Sequence, residues 1–359
     1  MEIKNLTLFL LVTIFFASCK KSTPKNEPDP VPNLTVIIPF NNLGFYRNNF
    51  IPLPDQSFAV WASEDVASSY HFFHFDKDLK LLDTAIFRNT KFRNQSVVRE
   101  KSIFSIMGKD LIETDFNFNV INQNTHIDKD LGLDSKTTNM VICDGPNNTL
   151  LLLVASQING LGKLVLAVYD SKITKPLQII DTLSNISIPP NLYSMAFLNN
   201  KVYIIGYNDL SSRIVWTIKQ YDFNGKLNWI NSDYNLEGYF GVLDSTLYLL
   251  DNRKVLEDGT IVNEFKGSLI YQNSLNGFTT FYSILYSDPS GLKYTTGYMA
   301  NLSSGFQVEK ETKIKVDNGL YNTFGPVDKD SWVYISAFLD ANDGGKRKLR
   351  LEKINKNLE

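Results

Sequence analysis

The 359-residue sequence predicts an all-β fold built from a repeated four-stranded unit, on three observations. From about residue 36 onward, apolar residues alternate or run in short blocks rich in Val, Ile, Tyr, Phe and Trp, and no stretch has the periodicity of an amphipathic helix of three turns. Asn, Asp and Gly separate the blocks; these residues cap their own backbone in turns or adopt the left-handed conformation that hairpins demand. Finally, one hairpin recurs, with an apolar strand entering an Asp- or Asn-centred turn and a second apolar strand leaving it.

The hairpin occurs as FDKDLKLLDT around Asp76, TDFNFNVINQ around Asp115, YDSKITKPLQIIDT around Asp170 and YDFNGKLNWI around Asp222. It returns as LEDGTIVNEF around Asp258, a looser ANLSSGFQVEK around Asn301 and KINKNLE around Asn355. The mean spacing of about 46 residues is that of four-stranded propeller blades. In the fourth unit the four strands fall at 193–198, 201–207, 214–221 and 226–230, and further strands are expected at 150–155 and 246–250. The last unit supplies strands at 321–327, 332–339 and 348–354, and no fourth strand follows before Glu359. The apolar stretch LTVIIPF at 34–40 precedes the first complete unit and is left without a partner. The expectation is therefore a seven-bladed β-propeller over 34–359, closed by an N-terminal strand that completes the C-terminal blade and removes an exposed sheet edge.

The first 33 residues stand outside this pattern. Residues 1–18 carry Lys4, an apolar run from Leu6 to Phe16, then Ala17 and Ser18, the layout of a bacterial secretory signal. The run is about eleven residues, short of the roughly twenty that a spanning helix needs, so a cleaved signal is expected rather than a permanent span. Residues 20–32, KKSTPKNEPDPVP, hold four prolines and mixed charge, with Val31 as the one large apolar side chain. That composition describes a solvated tether over 19–33 that cannot bury a core.

Two resemblances follow from these residues. Phe16-Ala17-Ser18-Cys19 resembles the lipobox of bacterial lipoproteins, with Phe16 where the strictest form has Leu. The resemblance implies cleavage before Cys19, lipid on its thiol and, through two or more acyl chains, stable attachment to a membrane. Lys20 is not the aspartate that resembles inner-membrane retention, which implies the outer membrane. Tyr221 to Ile230 resembles the repeat of quinoprotein-type propellers, in which an apolar residue and Asp precede a Gly turn and a Trp follows. Only this unit carries Gly225 and Trp229 together, and counterparts of the vicinal cysteines and metal ligands of quinone-binding dehydrogenases are missing. The resemblance implies the architecture and no quinone, so no cofactor is expected.

Composition narrows the chemistry. A formal charge of -2 and a pI near 6.0 give no broad attraction to a phosphate backbone, so nucleic acid is not an expected partner. Three histidines and two cysteines exclude disulfide scaffolds, Cys-rich zinc sites and iron–sulfur clusters. Cys143, the one cysteine of the mature domain, lies in the strand-like NMVICDG and is expected to be a buried hydrophobe. His71 and His74 in YHFFHF stand three apart on a strand, so they point to opposite faces, one exposed and one packed. His126 stands alone in a turn-like segment. DANDGG at 340–345 offers Asp340, Asn342 and Asp343, but Gly344 occupies a ligand position and no Glu closes a calcium loop, so a polar hairpin turn is expected. SDPSG at 287–291 reads as a second turn. Tyr46, Trp61, Tyr70, Tyr193, Tyr239, Tyr282 and Tyr321 recur near the starts of units, where burial between blades or stacking on a sugar or a protein partner would use them. No pair of carboxylates, nucleophile elbow or phosphate loop stands out.

These observations describe a cell-envelope lipoprotein whose propeller is a non-catalytic binding or scaffold platform for an envelope protein or a surface polymer, held to the membrane by lipid on Cys19. The alternative is a polysaccharide-active hydrolase or lyase with carboxylates in the central funnel, and a third reading is a redox protein with a bound quinone. Propellers host many functions, so the fold alone does not separate these.

Overall fold

Strand patterning of period two gives strands, and the turn residues between them give antiparallel hairpins. The computed structural model describes residues 35–358, with interruptions at 40–42, 45–49, 65–68, 89–91, 134–136, 159–160, 187–190, 211–212, 234–239, 244–245, 250–252, 264–267, 273–277, 288–292, 304–306, 315–321, 329–330, 341–345 and 356. Residues 1–33, with the expected signal, Cys19 and tether, lie outside the described residues.

Seven antiparallel sheets form the blades. In blade 1 the inner position is shared by β2 (Leu43–Gly44) and β3 (Phe50–Pro52), both paired with β4 (Phe58–Glu64), followed outward by β5 (Tyr70–Phe75) and β6 (Leu81–Phe87). Blade 2 comprises β7 (Phe92–Val98), β8 (Ile103–Met107), β9 (Asp110–Thr114) and β10 (Val120–Asn124), and a four-residue helix α1 (Ile127–Asp130) follows it. Blade 3 runs through β11 (Thr137–Asp144), β12 (Leu150–Ile158), β13 (Leu161–Tyr169) and β14 (Pro176–Ile186). Blade 4 runs through β15 (Asn191–Leu198), β16 (Lys201–Leu210), β17 (Arg213–Asp222) and β18 (Leu227–Asp233). Blade 5 contains β19 (Phe240–Leu243), β20 (Thr246–Leu249), β21 (Arg253–Val255) and β22 (Ile261–Asn263). Blade 6 contains β23 (Ser268–Gln272), β24 (Phe278–Ser287), β25 (Lys293–Leu302) and β26 (Val308–Ile314). Blade 7 takes β27 (Asn322–Asp328), β28 (Ser331–Asp340) and β29 (Lys346–Asn355) from the C-terminus, and its outermost strand is β1 (Thr35–Pro39).

The ring closes as the unpaired apolar stretch predicts. β1 lies antiparallel to β29, with Thr35 opposite Glu352 and Pro39 opposite Lys348. The inner strands neighbour one another in cyclic order, β3 with β7 and so on round to β27 with β3. At the closing seam Phe50, Phe58 and Phe75 stack at 5.0 and 5.2 Å between ring centroids, against Val333, Ile335, Leu349 and Leu351 of blade 7. A Cβ on Gly325 of β27 would stand 2.1 Å from the Phe50 ring, so a residue without a side chain is required at this approach.

Each described core is a layer between two blades. Val97, Phe104 and Leu111 of blade 2 meet Ile142, Leu152 and Val165 of blade 3, and Leu153, Leu166 and Ile180 of blade 3 meet Leu192, Val202 and Ile204 of blade 4. β12 reads LLLLVA across its first six residues because both faces of that strand are covered.

The outer turns hold a feature that local preferences do not predict. In blade 1, Asp76 N–H donates to Lys80 O and Leu79 N–H to Asp76 O, while Asp76 Oδ1 accepts from the Asp78 and Lys80 amides. Asp115 repeats this with Asn117 and Asn119. The fourth turn position has positive φ, and it is occupied by Leu79, Phe118, Ile173 and Leu358 in blades 1, 2, 3 and 7, and by Gly225 and Gly259 in blades 4 and 5. All four apolar residues are buried, each against the preceding blade. The expected anchors in blades 5 and 6 are displaced from the first turn position, the one Asp76 and Asp115 hold in blades 1 and 2. Leu256 occupies it in blade 5, with Asp258 two residues on capping Thr260 N–H, and Ser303 occupies it in blade 6, with Asn301 buried inside β25. The face carrying these hairpins is called the turn face below.

Candidate functional site

Cys143 and the three histidines occupy distinct environments. Cys143 is buried among Val141, Leu151 and Leu153, and burial pushes its thiol well above the ordinary value, which removes it from nucleophilic chemistry at neutral pH. His71 and His74 diverge as the strand pleat requires. His74 is buried, but His71 is half-buried rather than exposed, because β5 is the third strand and is flanked by β4 and β6. His126 is exposed and precedes α1, its amide donating to Asn124 Oδ1.

His74 belongs to a constellation that sequence reading missed. Its Nε2 stands 2.8 Å from Ser57 Oγ and its Nδ1 3.2 Å from Asn117 Oδ1, which is the outline of a serine–histidine–amide relay. Two observations remove it from catalysis. Ser57 Oγ donates to Asp55 Oδ1 at 2.5 Å, so its proton is committed to a carboxylate, and an oxyanion formed at this oxygen would face that negative charge. Ser57 and His74 are also only 4% and 3% exposed, which closes Oγ to a substrate carbonyl. The group instead ties the inner turn of blade 1 to the outer turn of blade 2. Partners 17 and 43 residues apart leave no local signature.

The same grip recurs around the turn face, always from one blade to the next. Asn124 of blade 2 donates to Ile173 O in the turn of blade 3, and Arg99 of blade 2 donates to Thr149 O of blade 3 at 2.8 Å. In blade 4, Trp229 Nε1 donates to Glu257 O at 2.8 Å and Asn231 to Gly259 O at 2.8 Å, both in the turn of blade 5. Lys353 of blade 7 donates to Lys77 O of blade 1 at 2.7 Å and lies 3.7 Å from Asp78, which completes the circuit at the closing seam. Within blade 4, Asp222 accepts from Lys201 and from Asn228, and these bonds hold its carboxyl below the usual range.

Of the recurrent aromatics, Trp61 is buried in the core between blades 1 and 2 and Tyr70 packs on it at 5.7 Å between ring centroids. Both are structural. Tyr46, Tyr239 and Tyr321 lie outside the described residues, as do the side chains of Tyr193 and Tyr282. So do most of DANDGG, from 341 to 345, and of SDPSG, from 288 to 291. No cluster of three His, Cys, Asp or Glu placed to hold a metal ion occurs among the described residues. No helix among them is long and apolar enough to cross a membrane.

No family model matches the chain, and no curated relative matches it. Solved structures do. A protein of unknown function from Dyadobacter fermentans is 13% identical, with 88% of this chain and 98% of that chain covered and a TM-score of 0.38. A member of the duf4221 family from Bacteroides vulgatus is 10% identical over 90% and 97% of the two chains, with a TM-score of 0.38. The CNH domain of AfRom2 is 9% identical over 88% and 98%, with a TM-score of 0.44.

Proposed function

We propose that this chain is an envelope lipoprotein whose propeller is a binding or scaffold platform rather than an enzyme, attached to the outer membrane through lipid on Cys19. The observation that carries the platform reading is how the described reactive groups are used. Ser57, His74 and Cys143 are all consumed in blade-to-blade packing, and the turn carboxylates Asp76 and Asp115 cap their own backbones. The lipobox-like residues 16–19 and the Pro-rich tether support the anchor, and the ring supplies a rigid body for it to carry. The resemblance of 221–230 to quinoprotein-type repeats enters this reading as architecture only. The partner is an envelope protein or a surface polymer.

The test is affinity capture of the tagged, lipidated chain from gently solubilised envelope membranes, with Cys19→Ala as the control. A stoichiometric envelope protein or polymer recovered with the wild type supports the platform. Recovery of the chain alone, together with cleavage of an envelope polysaccharide by the purified protein, would replace it with the hydrolase or lyase reading.

A further inference from the structure

Where large apolar side chains stand in solvent, the structure places them in a pattern. Among the described residues, every such side chain lies on the outermost strand of a blade, and most lie at the end of that strand next to the outer turn. Leu81 and Leu82 open β6, Val120 and Ile121 open β10, Leu227 opens β18, and Leu177 is the second residue of β14. Blade 6 adds Val308 at the start of β26. Leu177 is 62% exposed and Leu82 48%. Outer strands are where soluble proteins place lysine or other charge to blunt an edge, and β10 and β18 contain no lysine or arginine at all. The result is an apolar collar on the rim of the ring, concentrated on blades 1 to 4 and set at the level of the turn face.

The chain enters the ring on this same face. Thr35 pairs with Glu352, three residues before the Asn355 turn, and β1 then runs away from the turn face toward Pro39, opposite Lys348. β1 is the rim strand of blade 7, so the entry point adjoins blade 1, where the collar carries Leu81 and Leu82. A proline-rich segment of the length of residues 20–33 reaches at most about 43 Å when extended. A lipid on Cys19 would therefore sit within reach of the collar.

We propose that the collar is a membrane-contact surface: the turn-face rim of blades 1 and 2 rests in the lipid interface beside the acylated cysteine and acts as a second attachment signal. Leu and Val side chains in the headgroup boundary add apolar burial to the acyl chains, and the long Lys side chains of the neighbouring turns can extend their charges into the headgroup layer. The ring is then held with its turn face toward the lipid. This inference rests on the lipid-anchor reading of Cys19 for its geometry, but it is tested without the lipid.

The full chain carrying Cys19→Ala is mixed with phosphatidylethanolamine/phosphatidylglycerol vesicles, and the bound fraction is measured by co-sedimentation. The combined variant Leu81→Ser, Leu82→Ser, Val120→Ser, Ile121→Ser is compared with Ile86→Ser, a residue equally exposed but at the far end of β6. The expected result is measurable vesicle binding that drops about tenfold in the collar variant and is unchanged in the Ile86 variant. No vesicle binding, equal loss in both variants, or crosslinking of position 82 to an envelope protein instead of lipid overturns the proposal. The anchor reading has a separate arm, since wild-type chain that takes up no labelled palmitate in cells refutes lipidation whatever the vesicles show. Unchanged thermal melts of the variants establish that the fold is intact.

Discussion

Leu79 offers the most discriminating test of the outer-turn arrangement. It sits at φ 63° in a turn and is 1% exposed, packed between blades 7 and 1. Left-handed backbone costs an L-residue about 1–2 kcal/mol, and burying a leucine contributes about 1.5–3 kcal/mol, so the packing only just outweighs the strain. Leu79→Ala removes the burial and keeps the strain, and should cost about 2–5 kcal/mol. Leu79→Gly removes a further methyl, worth about 0.8 kcal/mol, and adds unfolded-chain freedom worth about 0.5–1 kcal/mol. It also releases about 1–2 kcal/mol of left-handed strain. The two variants should therefore unfold within about 0.8 kcal/mol of each other, whereas at an ordinary strand position glycine would be worse by about 1.5 kcal/mol. The assay is equilibrium urea unfolding of the chain with Cys19→Ala, read by far-UV circular dichroism, with the slope required to stay constant between variants. Glycine falling more than about 1 kcal/mol below alanine would refute the balance of strain and packing. Phe118 and Ile173 provide replicates of the same substitution pair.

Three further outcomes follow from the same geometry. Gly259→Ala places a Cβ 2.9 Å from the Trp229 ring at φ +87°, so it should cost about 2 kcal/mol or more in urea unfolding, and Trp229→Ala in the same chain should relieve the steric part. His74→Ala should cost about 1–3 kcal/mol by opening a cavity and removing the hydrogen-bonded link between Ser57 and Asn117 across blades 1 and 2, while a fluorophosphonate should fail to label Ser57 in the wild type; covalent labelling would reopen the catalytic reading. The Asp222 carboxyl is held low first by Lys201 and then by Asn228, and that of Asp258 by Thr260 N–H. Their folded values lie below the unfolded ones, so their contribution is complete above about pH 4 and is lost as pH falls through the folded values. Melting temperatures should therefore drop below pH 4, with a shallower drop in Asp222→Asn.

Strands and ring closure were legible because each rests on a short-range or compositional signal. KVYIIGY and WVYISAFL are short runs of β-branched and aromatic residues, buried on both faces where described, and the apolar stretch at 34–40 had no hairpin partner of its own, which left the incomplete last unit as its place. The turn aspartates were legible because Asp76 and Asp115 satisfy amides two and four residues away. Those same local signals misplaced blades 5 and 6. Asp258 is a good turn former at the wrong turn position, and Asn301 is a turn-forming residue whose amide oxygen accepts from Thr279 within the sheet. The inter-blade grips were illegible for the complementary reason. Nothing near His74 announces Ser57 and Asn117, and an apolar residue at positive φ, such as Leu79 or Ile173, contradicts local preference until the neighbouring blade is present to bury it.

The two kinds of outer turn solve one packing problem. Blades diverge toward the rim, and the wedge opening beneath each outer hairpin has to be filled from one side or the other. In blades 1, 2, 3 and 7 the turn fills it, with Leu79, Phe118, Ile173 or Leu358 pushed back against the preceding blade at the expense of backbone strain. At blade 5 the turn is Gly259, and the preceding blade fills the wedge with the Trp229 indole. Glycine and tryptophan are thus coupled across the interface, and the Trp229 that sets 221–230 apart from the other repeats is matched to a glycine in the next blade. With the described turn-face groups committed to holding the ring together, the platform reading is best probed at the opposite ends of the strands. The paired strand ends Ser287 with Lys293 of blade 6 and Asp340 with Lys346 of blade 7 lie there. If the ring rests on its collar as proposed, that side faces away from the lipid, and substitutions within 288–292 and 341–345 are expected to be the first to lose a partner captured by the wild type.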